Sequence, residues 1–190
     1  STDNTWEIME RYRDLGLATI EKVSGNGMQL ATYNKCLKEH GSKSQWIAFL
    51  DSDEFLQGSV SGNKYIPAAH VLKNFENFPA VAVNWVLYGS SGHKTHTEGL
   101  VIERFTKRNK EADQHVKSVV QPHLTIGTGK NAHYFRLKGN AVNEHFDELP
   151  EEYYWTEPSI VKLRVNHYHT KSKEEYLKRK SYIDVDAVNR

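Results

Sequence analysis

WIAFLDSDEFL, residues 46–56, decides how this chain is read. An apolar run, Trp46 to Leu50, leads straight into Asp51, Asp53 and Glu54, and the chain then turns apolar again at Phe55 and Leu56. A short continuous apolar run is the mark of a strand covered on both faces. Residues 46–50 are therefore expected as a central strand, with the acids just past its carboxyl end. Ligands of open α/β sheets bind in that place. Alternate residues of an extended segment point the same way, so Asp51 and Asp53 are expected to converge. Two close carboxylates repel unless a cation or proton lies between them. A hard divalent ion, Mg²⁺ or Mn²⁺, completed by substrate phosphates is the economical answer. The plain alternative is a solvated acidic turn, and the apolar flanks favour the metal. The loop lacks the glycine and terminal glutamate of an EF-hand.

The chain around this stretch reads helix, strand, helix, strand. Asn4 and Glu7 have capping-box spacing, and Gly16 stands where a helix should stop, with Trp6, Met9 and Tyr12 or Arg13 on one face. Residues 17–23 are expected as a short strand and residues 24–27 as a turn. Residues 29–40 are expected as a helix, with Leu30, Tyr33 and Leu37 on one face and Gly41 as the stop. This rhythm predicts an α/β fold. Later strands are expected at 81–88, 99–105, 124–126, 133–137 and 161–169. In the last, Val161, Leu163, Val165, His167 and His169 share one face, and Lys162, Arg164, Asn166 and Tyr168 the other. Ser172 and Glu175 open a closing helix that carries Tyr176, Leu177, Lys180 and Ile183.

The 190 residues suit one domain with a real core. A formal net charge of +1 gives no electrostatic case for a nucleic-acid partner. No apolar run approaches the ~20 residues of a membrane-spanning helix. Membrane association would need a segment not in this chain, and the default location is cytoplasmic. Cys36 is the single cysteine, so an internal disulfide is excluded, and its place in a helix beside Leu37 reads as buried. GSSGHKT, residues 89–95, lacks phosphate-loop spacing and reads as a flexible loop near the ligand or a plain turn. His167 and His169 taken alone are inert strand histidines or ligands, with imidazole suiting Mn²⁺ better than Mg²⁺. Glu144 and Asp147, in the polar stretch 142–147, are either a general base or part of an acidic surface loop.

Ser1-Thr2-Asp3-Asn4-Thr5, then Gln29, Tyr33 and Asn34, then WIAFLDSDEFL resemble the start of a GT-A glycosyltransferase domain. NWVLYGSSGH (84–93), VNEH (142–145) and NHYHTKSKEEYLKRK (166–180) are similar to family 92 glycosyltransferases and the bacterial "glycosyltransferase 2-like" group. The resemblance runs from residue 1 to about residue 182. It implies a Rossmann-like mixed sheet flanked by helices, lacking its first βα unit ahead of Ser1. Residues 1–56 would form the nucleotide-sugar and metal half. Residues 57–190 would form the acceptor half with the C-terminal metal-ligand strand and helix. It further implies that Asp51, Asp53 and His167, with His169 as the fallback, hold Mn²⁺ or Mg²⁺ on the diphosphate of a nucleotide-sugar donor. Asp3, Gln29, Asn34, Asp51 and Lys171 would contact the donor, with Lys171 on the diphosphate charge. The acceptor would be a carbohydrate or glycolipid, the reaction inverting, and the base Glu144, Asp147 or Glu54. The rivals are a metal-dependent nucleotidyltransferase or phosphohydrolase, and a non-catalytic carbohydrate-binding relative.

Overall fold

The computed structural model describes residues 4–25, 27–61 and 63–188, with the last helix given by its backbone alone from 182 on. The expected roles of Asp3, Asn26 and the Ile183 side chain therefore lie outside what is described. Helix α1 (Thr5–Asp14) forms as its spacing predicts, although Asn4 makes no side-chain cap. Gly16 ends it with φ +70°, the left-handed conformation that favours glycine. The expected strand at 17–23 is absent, because the segment has no ladder partner among the described residues. Leu17 and Val23 stay exposed there. Helix α2 (Gln29–His40) matches its predicted bounds. Gly41 does not stop the chain in a left-handed turn. It continues right-handed with φ −55°, and its smallness matters because a Cβ would meet the Pro122 ring at 3.0 Å.

Five strands make the main sheet: β1 (Ile47–Ala48), β2 (Glu54–Gln57), β5 (Ala80–Leu87), β6 (Asp113–Val120) and β9 (Arg164–His167), in the order β1-β6-β5-β9-β2. β5 and β9 run parallel, while β6 is antiparallel to β1 and β5, and β2 is antiparallel to β9. The sheet is mixed, as expected. Two hairpins accompany it, β3 (Val60–Ser61) with β4 (Lys64–Tyr65) and β7 (Thr125–Thr128) with β8 (Phe135–Leu137). Helices α3 (Ala68–Leu72), α4 (Val101–Arg104) and α5 (Lys173–Val188) complete the chain. None of the described helices is long and apolar enough to cross a membrane.

The apolar run at 46–50 is not central. Among the described strands β1 is an edge, only two residues long. Its residues are apolar because both faces are covered all the same. Ile47 and Phe49 pack with Tyr33 of α2 and Phe135 of β8, while Trp46, Ala48 and Leu50 join the cluster of Val81, Val83, Val119 and Val165. A continuous apolar run thus reports two covered faces and not a central position. Residues 99–105, expected as a strand, turn into α4, where the Glu103 carboxylate accepts the Leu100 N–H. The last strand is shorter than its alternating pattern. Val161 is exposed, and Asn166 and Tyr168 are buried rather than facing solvent. Ser172 and Glu175 do form the reciprocal cap of α5.

Two residues put forward as functional prove to be braces. Glu144 is 4 % exposed, and its carboxylate accepts the Ser159 hydroxyl and the N–H groups of Val161 (2.7 Å), Lys162 (2.6 Å) and Leu163 (3.0 Å). That leaves it no lone pair aimed at a substrate and corrects its reading as the base. It holds the chain that leads into β9. Asn34 spends both ends of its amide on Thr128, accepting its N–H and donating to its hydroxyl, so it pins α2 to β7 rather than facing a donor.

Burial would push the Glu144 carboxyl up, but the hydroxyl and the three N–H donors outweigh it and hold it below its usual value. The sign follows from linkage. A depressed carboxyl stabilises the fold fully above the unfolded value, near pH 4.3, and that contribution is lost as pH falls through the folded value. Glu144→Gln should cost about 3 kcal/mol at neutral pH. In urea melts the gap between wild type and variant should narrow below about pH 4. A gap independent of pH would contradict this reading.

Candidate active site

The connection from β1 to β2, residues 49–53, runs from one edge of the sheet to the other, and residues 51–53 are its last part, just before β2. The expected extended segment is instead a closed turn. Glu54 N–H donates to the Asp51 carbonyl at 3.0 Å, and Asp51 N–H donates to the Glu54 carboxylate at 2.9 Å. Asp51 and Asp53 consequently face different partners, which corrects the expectation that they converge.

Asp51 is held by two donors, Gln29 Nε2 at 3.0 Å and Lys117 Nζ at 2.9 Å. Lys117 also lies 3.2 Å from Glu54. The Lys117 side chain is 2 % exposed and that of Glu54 is fully buried. A buried ammonium survives only when paired, and here Asp51 and Glu54 hold it charged against burial. Glu54 is the less compensated partner. Burial pushes its carboxyl up, and Oε1 has no hydrogen bond. A buried acid tied to Lys117 is badly placed to take a proton from an acceptor, which corrects its listing among the base candidates.

Asp53 looks the other way. One oxygen lies 3.7 Å from His167 Nε2 and the other 3.8 Å from Arg179. His167 is at the carboxyl end of β9, in register with Glu54 of β2 and Leu87 of β5. Burial pushes its imidazole down to about 4, against the pull of Asp53, so at neutral pH the ring is uncharged and keeps a lone pair. Its Nδ1 is buried and unpartnered. His169 lies beyond the strand, 5.5 Å away ring to ring, and bonds Arg179. Among the described residues no three histidine, cysteine, aspartate or glutamate side chains meet closely enough to enclose an ion. The pair that does meet, an anionic oxygen facing a neutral imidazole, is still a donor set that fits Mn²⁺ or Mg²⁺ held by few protein ligands.

The remaining expectations fall at other places. Asp147 is exposed and bonded to Asn143, beside Val142, which bridges Val81. Val81 is six residues along β5 from Leu87, the partner of His167, so Asp147 sits roughly 20 Å of strand from the His167 end, while Glu144, bonded to the Leu163 N–H, sits roughly 13 Å from it. Lys171, with φ +53°, lies in the turn between β9 and α5. Residues 89–94 are tied down as structure. Ser91 Oγ accepts the Lys107 N–H, and the carbonyls of His93 and Lys94 accept the first N–H groups of α5. The sequence reading passed over β6 entirely, with its Asp113, His115 and Lys117. It placed Trp85 in a strand and in the motif NWVLYGSSGH but gave it no role, although its ring meets those of His115, His133 and His167 at 5.4, 5.3 and 4.5 Å. The available signal was a lone lysine and histidine at alternate positions of QHVKSVV, flanked by valines.

Lys117→Met should lose about 3 kcal/mol of stability, since it strands a buried carboxylate. Adding Glu54→Gln should recover part of that loss. A double variant as unstable as the sum of the two single ones would rule out the pairing as the source.

No curated protein matches the chain. The family model described as glycosyltransferase family 92 matches residues 1–186, nearly the whole chain, and covers every strand and helix around Asp53 and His167. The chain is a glycosyltransferase and belongs to glycosyltransferase family 92.

Proposed function

We propose that the chain moves a sugar from a UDP- or GDP-linked donor to a carbohydrate or glycolipid acceptor, with inversion and with the help of Mn²⁺ or Mg²⁺. The observation that carries this is the facing pair Asp53 and His167, 3.7 Å apart at the carboxyl end of parallel strands. These two residues would hold the ion. Asp51 stands two residues before Asp53, oriented by Gln29 and Lys117. A bound divalent ion would supply Lewis-acid neutralisation of the diphosphate as it leaves. The neutral state of His167 matters here, because a protonated imidazole has no lone pair to give. Lys171 and Arg179, one on each side of the α5 start, would add positive charge for the phosphates.

Calorimetric titration of UDP and GDP, with and without Mn²⁺, tests the reading. One nucleotide should bind only with metal. Asp53→Ala should remove that binding and leave the far-ultraviolet circular dichroism unchanged, because Asp53 lies in a turn outside both apolar clusters. Wild-type affinity in the variant would exclude Asp53. Release of nucleoside diphosphate rather than pyrophosphate from a nucleotide sugar separates sugar transfer from nucleotidyl transfer.

A further inference from the structure

The acids first considered as the base are engaged elsewhere. Glu144 is saturated, Asp147 is at the far end of β5, and Glu54 is buried against Lys117. A different acid–base pair stands beside Trp85. Asp113 Oδ1 accepts the His115 N–H at 2.9 Å and faces His115 Nδ1 at 2.6 Å. An ionised carboxylate at that distance fixes the proton on Nδ1 and leaves a lone pair on Nε2. Nothing among the described residues bonds that Nε2, and the side chain is 44 % exposed.

The backbone sets this arrangement up. Asn84 pairs with Val116 but Trp85 pairs with Asp113, so Gln114 and His115 are surplus residues in β6. Such bulges re-aim side chains. The Asn84 amide holds this one by donating to the carbonyls of Asp113 and Gln114 at 3.1 and 3.2 Å. Trp85 lies against the His115 ring with only 25° between the planes, and its indole also meets His167. β6, β5 and β9 are successive strands, so His115 is two strands, roughly 10 Å, from His167.

We propose that His115, oriented by Asp113, is the general base of the transfer. This rests on the donor site read above. An in-line attack puts the acceptor hydroxyl across the sugar from the leaving diphosphate, about 3 Å from the anomeric carbon, with the base about 3 Å further on. His115 and His167 stand on either side of the Trp85 indole, so a donor lying across that ring would have the ion at one edge and the base at the other. As the acceptor oxygen bonds to the anomeric carbon, its proton passes to His115 Nε2. The bond from that carbon to the diphosphate oxygen breaks, and its electron pair leaves on the nucleoside diphosphate. Asp113 stays ionised and steadies the imidazolium, which then returns its proton to solvent.

The test uses the full chain with Mn²⁺ and UDP- and GDP-hexoses, with water or sugars as acceptor, and measures nucleoside diphosphate release. His115→Gln should lose about 10²–10³-fold in turnover at unchanged metal-dependent nucleotide affinity. Asp113→Asn should show a smaller loss. Turnover by His115→Gln within about threefold of wild type would overturn the proposal. So would wild-type protein that binds nucleotide yet releases none from any donor, since water would serve as acceptor. Nitrogen NMR of the histidine side chains adds a readout that needs no turnover. In the neutral ring the His115 proton is expected on Nδ1, and a neutral ring protonated on Nε2 would also overturn the proposal. Failure of the wild type to bind either nucleotide takes down the donor reading first, whereas normal binding with a fully active His115→Gln takes down the base alone.

Discussion

A single buried ammonium organises the functional end of this molecule. Lys117 reaches up from β6 to Asp51, in the turn that leads into β2, and to Glu54, the first residue of β2. Without it the chain from β1 to β2 would carry Asp51 and Glu54 side by side with no cation to offset their repulsion, Arg179 facing only Asp53 of the three carboxylates. With it, two of the three are bound, one partly exposed and one buried. Asp53 is left over, and the turn aims it away from its neighbours and at His167. The acidic motif is thus divided: one part is neutralised internally and structural, the other is available to a ligand.

The same sheet face changes character along its length. Val81, Val83, Val119, Leu163 and Val165 form an apolar cluster toward one end. Lys117, Trp85, His115, His133 and His167 take over at the other. Alternation keeps Lys117, Trp85, His115 and His167 on the strands that already build the core, and the β7–β8 connection adds His133, so the polar groups are held by a rigid frame. Burial then sets their chemistry. It leaves His167 uncharged and lowers His133 as well, while the ring of His115 stays half in solvent beside its own carboxylate. Glu144 serves from the far end, clamping residues 159–163 so that β9 enters the sheet in the register that brings His167 to Glu54.

Much of this was legible in the residues. The two long helices, the β5 strand and the reciprocal cap at Ser172 and Glu175 follow from spacing alone. The mixed sheet and the place of Asp51 and Asp53 past a strand end were also within reach. What escaped is what depends on long-range pairing. Whether residues 46–50 lie at the centre or the edge is settled by β6, 66 residues away from Asp51 at Lys117. β6 itself was hidden because its first half carries Asp113, His115 and Lys117 where a strand should show apolar residues. Glu144 and Asn34 looked like chemistry because polar residues in a polar stretch give no sign that backbone donors will occupy them.

The central claim is that Asp53 and His167 together receive a divalent ion that in turn holds the donor diphosphate. Crystals grown with Mn²⁺ and the nucleoside diphosphate, measured at the manganese absorption edge, test it most directly. The account predicts one anomalous peak bonded to the Asp53 carboxylate and His167 Nε2, with the diphosphate beside it. Bound nucleotide with manganese elsewhere, or with no manganese at all, would contradict it.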